Sequence, residues 1–288
     1  MKGLLLLIVV VPGLLGQDRA VDPTWLHRSI PLSSRGASHL ASGRCQYGPI
    51  FGVGDSEARI LRTVTRFAEV TLTVGGNCPA EVYDREEEIY FVLHGSASLR
   101  YADQVYPLRT NDFTYIAPAI KHSIVNASQQ TSHVLVMTFK IPADISIRPA
   151  PAQPKIVNLN DVKEETVEGH PTSVLYKLLL GSRTATRDAI DEAYAVTSLF
   201  WMNFAPGGTN FPHHHETAEE IYLVMDGEGE IVAGGGVDGK EGRYPVKEGD
   251  AYYFRPNCTV GFYNQNKPNA RAHILAVRAR IPPPHDED

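Results

Sequence analysis

His213 and His215 stand two residues apart in the run Phe211-Pro-His-His-His-Glu216, and Glu220 follows five positions later. Side chains alternate along an extended chain, so His213 and His215 share one face while His214 takes the other. A short turn then leads into a strand on which Glu220, Tyr222 and Val224 share a face. A folded-back hairpin can bring two imidazoles and one carboxylate to a common point. Two nitrogen donors and one oxygen donor with open positions are the ligand set of non-haem Fe(II), and Mn, Zn or Co would also accept it. The expected cofactor is one divalent transition metal, Fe or Mn first. The plain alternative is a histidine-rich exposed loop on an acidic protein.

The elements that would position these residues occur twice. Gly75, Glu88 and Gly95 correspond to Gly207, Glu220 and Gly227 at a constant offset, and Asn111-Asp112 and Asn126 correspond to Gly249-Asp250 and Asn264 at an offset six residues larger. The chain therefore carries an internal duplication, with extra length in the second copy that fits a hairpin tip in the Gly-rich stretch Ala233 to Gly242. Each copy holds runs such as Ala68-Glu-Val-Thr-Leu-Thr-Val, Glu88-Ile-Tyr-Phe-Val-Leu and Ser198-Leu-Phe-Trp-Met-Asn-Phe, separated by Gly, Pro or Asn turns. Evenly spaced short strands predict an all-β protein with a small antiparallel barrel or jelly roll per copy. Helix signal is sparse, the best candidate being Thr184 to Tyr194. Four prolines between Ile141 and Pro154 read as a linker.

The 288 residues are 43% hydrophobic and carry a formal charge of −6 with no basic run, which argues against a nucleic-acid partner. Lys2 followed by the apolar run Gly3 to Leu15 has the shape of a secretory signal peptide, so an exported protein with no membrane span after cleavage is expected. A retained N-terminal anchor is the alternative. Cys45, Cys78 and Cys258 are too few for a disulfide scaffold, although an oxidising compartment would permit one bridge, with Cys45 to Cys78 as a candidate pair. Asn126-Ala-Ser and Asn257-Cys-Thr are glycosylation sequons.

At the level of motifs the sequence resembles the cupin family. Its first motif, Gly, five residues, His-x-His, a short gap, Glu, six residues, Gly, is met by Gly207, His213, His215, Glu220 and Gly227. Its second motif maps to Gly249, Arg255, Asn257, Val260 and Asn264, so the usual fourth ligand, a histidine, is Val260 here. In the first copy the motif-one positions read Gly75, Glu81, Tyr83, Glu88 and Gly95, and His122 survives in motif two. Glu81, Glu88 and His122 form a possible weak second cation site, and Tyr83 could add a phenol. The resemblance implies two tandem jelly-roll barrels with few short helices. The segments are then 1–16 signal peptide, 17–45 arm, 46–140 first barrel with a degenerate site, 141–156 linker, 157–281 second barrel with the metal site and 282–288 acidic tail.

Other residues compete for roles. His133 and His273 begin equivalent last strands, and an inward His273 would replace the missing ligand, a surface histidine being the other reading. Tyr222, Tyr253 and Phe262, with Tyr252 and Trp201, line a pocket or fill a core. Arg255, Arg278 and Arg280 would meet a carboxylate substrate at the barrel mouth or serve solubility. Cys258 reads as structural.

Two functions compete as well. One is a small-molecule enzyme using the two-His one-Glu centre, with oxygenase slightly ahead of hydrolase or isomerase because three protein ligands leave positions for substrate and oxygen. Relatives implied by the resemblance include dioxygenases, decarboxylases, sugar isomerases and ureidoglycine aminohydrolases. Oxalate decarboxylases keep the full ligand set in both barrels, unlike this chain. The other is a non-catalytic ligand-binding or structural bicupin of the storage-globulin type. A homodimer is expected by analogy.

Overall fold

The structure, a computed structural model, describes residues 22–30, 42–236 and 240–282. The signal-peptide run 1–16 and all of the acidic tail after residue 282 lie outside the described residues. The first copy folds as a six-stranded sheet facing a three-stranded one. The large sheet contains β2 (Cys45–Gly52), β3 (Val64–Leu72), β4 (Glu86–His94), β7 (Asp112–Ile116) and β9 (Ser132–Lys140), and the small sheet contains β5 (Ser96–Tyr101), β6 (Gln104–Arg109) and β8 (His122–Val125). The second copy repeats this with β11 (Val174–Ser182), β13 (Val196–Phe204), β14 (Ala218–Asp226), β17 (Asp250–Phe254) and β19 (Ala272–Arg280) against β15 (Glu228–Gly234), β16 (Glu241–Lys247) and β18 (Thr259–Asn264). These are two jelly-roll barrels.

The large sheets are buried on both faces, because the barrels pack on each other through them. Alternation along β19 sends Ala272, Ile274 and Ala276 into the second barrel, while Leu275, Val277 and Ala279 join the shared core between barrels. In the first barrel Phe91, Leu135 and Met137 face that shared core, and Tyr90, Val134 and Val136 face inward. Strands covered on both sides lose the apolar–polar alternation, and β7 and β17 are buried at every residue.

Two short strands cross between the barrels. β1 (Trp25–Ser29) pairs antiparallel with β17 of the second barrel, and β10 (Ile156–Asn158) pairs antiparallel with β7 of the first. The opening residues of the second copy thus complete the first barrel's sheet. The two crossings are equivalent: Asn158 donates to Asp112 Oδ1 at 2.7 Å, and the Ser29 hydroxyl donates to Asp250 Oδ1. Both aspartates also accept a backbone N–H across the preceding turn, from Arg109 at 2.8 Å and Lys247 at 3.0 Å. That turn needs positive φ at the residue before the aspartate, supplied by Asn111 (φ 71°) and Gly249 (φ 87°).

The expected helix over Thr184 to Tyr194 does not form. The segment is turn followed by β12 (Ile190–Ala193), which runs parallel to β11. Ile190 and Ala193 have helical spacing but are drawn into the core between barrels, so tertiary packing overrides the local pattern. The added length of the second copy sits at the β15–β16 tip: Tyr101 pairs with Gln104 across a tight turn, whereas the corresponding Ala233 pairs with Gly242.

Cys45 and Cys78 form a disulfide with Cα atoms 5.3 Å apart, closing a loop of 33 residues. Its reduction is expected to lower the unfolding free energy by about 3 to 4 kcal/mol from loop entropy, measured as the change in urea midpoint with and without reductant. Asn126 of the first sequon is buried, and its amide donates to the carbonyls of Leu72 and Gln130, so it is closed to modification in the folded protein. Asn257 is exposed. Cys258 is buried beside Gly234, whose N–H points at its sulfur.

Candidate metal centre

The loop before β14 folds back so that His213 bridges Val260 on β18, its N–H donating to the Val260 carbonyl at 2.9 Å and its carbonyl accepting the Val260 N–H at 2.8 Å. This fixes the imidazole over the barrel interior. His213 Nδ1 donates to the Phe211 carbonyl at 2.8 Å, which leaves Nε2 as its ligand atom. His215 lies 5.0 Å from His213 between ring centroids, and its Nε2 is 3.1 Å from Glu220 Oε2. One donor atom from each of His213, His215 and Glu220 lies within 4.8 Å of the others. The structure therefore brings the three expected residues together.

Electrostatics favour a neutral His213 and an ionised Glu220. Burial disfavours charge on His213 and holds it below the ordinary imidazole value, so it is neutral near pH 7. Burial also opposes charge on Glu220, but His215, and beyond it Arg278, outweigh this and hold the carboxyl below its ordinary value. Glu220 Oε2 is buried and makes no well-aligned hydrogen bond, the 3.1 Å approach to His215 notwithstanding. A buried carboxylate oxygen without a hydrogen bond is costly, and a cation at this point would satisfy it. The residues present fit a divalent transition metal.

His213 and Glu220 border a cavity of about 220 Å³ inside the second barrel, while His215 lines a more open recess with Thr197, Glu216 and Arg278. The cavity's polar wall contains His170, Tyr176, Arg187, Ser198, Asn210, His213, Glu220, Tyr222 and Arg278, with Arg187 paired to Asp188 at 3.5 Å, and its apolar wall contains Val167, Leu178, Phe200 and Met202. Tyr222 is a wall residue as expected, its hydroxyl accepting from Asn210 Nδ2 at 2.8 Å. Tyr176 and Asn210 escaped the sequence reading. Asn210 stands three residues before His213, within the motif, while nothing local marks Tyr176.

Several expectations are corrected. His273 is not a ligand: it faces outward on β19, with Nδ1 3.3 Å from Asp226 and its ring 5.3 Å from that of Trp201. Tyr253 does not line the pocket, because it points into the core between barrels and donates to Glu219 at 2.8 Å. Phe262 is inside the barrel but packs on Phe204, 4.7 Å between centroids, rather than on the cavity. Arg255 reaches toward the Pro23 carbonyl, outside the cavity.

In the first barrel the weak second site does not assemble as a ligand group. His122 Nε2 lies 2.5 Å from Glu88 Oε2, His122 Nδ1 lies 2.8 Å from the Ile120 carbonyl, and Thr138 donates to the other Glu88 oxygen at 3.0 Å. Both imidazole nitrogens face acceptors, an arrangement that favours the doubly protonated ring and turns no nitrogen lone pair toward a metal. Glu81 meets His122 through backbone bonds at 2.8 and 3.0 Å. Among the described residues the three-ligand grouping occurs in the second barrel alone.

Burial works against charge on His122, but Glu88 overrides it and raises the imidazole above its ordinary value. A raised histidine contributes stability that is full below its unfolded value of about 6.5 and is lost as pH climbs through the folded value. We expect the melting temperature of metal-free protein to fall over that range, and His122→Gln to flatten the slope in a pH series of thermal melts.

Buried carboxylates that precede the two central glutamates join the barrels. Glu87 accepts the N–H groups of Tyr194, Ala195 and Val196 at 2.6, 2.8 and 2.8 Å, together with the Tyr115 hydroxyl at 3.0 Å. Glu219 accepts those of Arg62, Thr63 and Val64 at 3.0, 2.7 and 2.6 Å, together with the Tyr253 hydroxyl. Each barrel thus ties down the chain of the other.

Comparison with known proteins agrees with this architecture. The family model for a cupin domain matches residues 68–138 and 200–277, one stretch in each barrel. No curated protein matches the chain in sequence. Among solved structures, a Pseudomonas aeruginosa protein named as glyoxylate-induced superposes with a TM-score of 0.67 at 17% identity, covering 91% of this chain and 92% of its own. The oxalate decarboxylase of Lactobacillus farciminis, solved with formate, gives 0.63 at 14% identity over 90% and 86%. That of Bacillus subtilis, with its Mn(II) centres, gives 0.62 at 13% over 91% and 78%.

Proposed function

As a member of the cupin family, matched over both barrels and more than half of its length, the chain is a two-barrel cupin, and we propose that it is a metal-dependent enzyme acting on a small molecule in its second barrel. The observation that carries this reading is Glu220 Oε2, a buried carboxylate oxygen with no well-aligned hydrogen bond, set 3.1 Å from His215 and near His213 at the edge of a cavity. A barrel kept only for structure has no need of that arrangement, and the first barrel illustrates the alternative, with its equivalent carboxylate bonded to His122 and Thr138.

His213, His215 and Glu220 would hold the ion, with Fe or Mn favoured by the donor set. A divalent ion on three protein ligands supplies Lewis acidity and open positions for an oxygenated substrate and for dioxygen or water. Val167, Leu178, Phe200 and Met202 keep one wall dry, which strengthens polar interactions on the other. Tyr176, Asn210 and Tyr222 orient substrate polar groups. Dioxygen-dependent oxidation is the first reaction proposed, ahead of hydrolysis and isomerisation.

The test is oxygen uptake by natively purified protein over a panel of small phenolic and carboxylic compounds. Uptake that follows metal content and is abolished in His215→Ala supports the oxygenase. Full metal loading with no oxygen uptake favours hydrolysis or isomerisation, and protein that takes up no metal favours the binding or structural reading. We also propose that the chain is exported, which the Cys45–Cys78 bridge supports, since disulfides persist in oxidising compartments.

A further inference from the structure

Arg278 occupies an inward position on β19, cross-strand from Glu220, in a row whose other members are Ala272, Ile274 and Ala276. A guanidinium turned into a barrel interior is costly unless its charge is compensated. Its bonded partners are two hydroxyls and an imidazole: Nε to Thr197 Oγ1 at 3.3 Å, Nη2 to Ser198 Oγ at 3.2 Å, and Nη1 3.3 and 3.4 Å from the ring nitrogens of His215. The two hydroxyls orient the fork, and no carboxylate is among the partners. One group in the same wall is unsatisfied: the Tyr176 hydroxyl is buried and makes no hydrogen bond.

Charge points the same way. Arg187 in the cavity wall is offset by Asp188, whereas a divalent ion and Arg278 together outweigh the carboxylate of Glu220, so the loaded site carries excess positive charge that an anion would balance. Arginine matches the planar geometry of a carboxylate with paired donors. The opposite wall is apolar, and the volume of about 220 Å³ limits the occupant to a compact molecule.

We infer that the cavity takes its ligand as a small carboxylate with an apolar body. The carboxylate sits on Arg278 beside the metal position, Tyr176 donates a hydrogen bond to the ligand, and the body lies against Val167, Leu178, Phe200 and Met202. The inference deepens the metal-enzyme reading, and rests on it for the ion beside the carboxylate, while Arg278 and the cavity can be tested without the ion.

Benzoate and benzamide are a fitting pair of probes, nearly equal in shape and different in charge. Isothermal titration of each into metal-loaded and chelator-stripped protein reads the anion site, and elemental analysis of the same samples reads the metal. Benzoate is expected to bind about 10- to 100-fold more tightly than benzamide, the range for a charge-assisted contact. Arg278→Gln should remove that preference and Arg278→Lys should restore part of it, both with unchanged melting temperature. If Mn(II) is bound, it should broaden the proton resonances of bound benzoate in wild-type protein. Equal affinity for the two probes, binding of neither, or a preference that survives Arg278→Gln would overturn the inference. Absence of metal with the preference intact in stripped protein would instead overturn the metal reading alone.

Discussion

Replacing Glu219 with Ala is expected to lower the unfolding free energy by about 3 to 5 kcal/mol, the range for breaking a buried charged network at one partner. The carboxylate accepts three successive N–H groups of the segment Arg62 to Val64, and the Tyr253 hydroxyl completes its shell. Truncation strands those donors in the core between barrels, where water cannot replace the acceptor. Glu219→Gln is milder, about 1 to 3 kcal/mol. One amide oxygen can still accept from Thr63 and Val64, but the amide nitrogen then faces the Arg62 N–H. Glu87 has the same design with the opposite barrel, so Glu87→Ala should match Glu219→Ala. Urea denaturation measures both, and a loss below about 1 kcal/mol in either would remove the lock from the account.

His213→Ala and His215→Ala are each expected to abolish specific metal binding, while His122→Ala leaves metal content unchanged. The centre has three protein donors and no fourth from β18, where Val260 stands, so deleting one imidazole leaves a single nitrogen and a carboxylate. The first-barrel histidine is committed to Glu88 and the Ile120 carbonyl. Thermal melts give a second readout. Metal at a hundred times its dissociation constant stabilises the folded state by about 2.7 kcal/mol, and that increment should vanish in both motif-one variants and persist in His122→Ala.

The convergence of the three candidate ligands was legible because its logic is local. Strand alternation and a short turn determine that His213, His215 and Glu220 converge, and the duplication shows where each copy's strands fall. Facing along β19 was legible only in part. Arg278 and His273 are five positions apart, an odd interval on a regular strand, so only one of them can point inward, and which one depends on register with β13 and β14. The same parity turns Tyr253 away from the cavity, since Tyr252 and Phe254 face inward. The helix read at Thr184 to Tyr194 failed because the core between barrels claims Ile190 and Ala193 while β12 pairs with β11. The crossed strands β1 and β10, and the roles of Glu87 and Glu219, depend on partners in the other barrel, and no period or spacing near them announces it.

The most direct test of the metal centre is equilibrium binding of Mn(II) to chelator-stripped protein, with free ion read by electron paramagnetic resonance. The account predicts about one ion per chain, unchanged in His122→Ala and absent in His215→Ala. No binding in the wild type, or a stoichiometry untouched by His215→Ala, would contradict it.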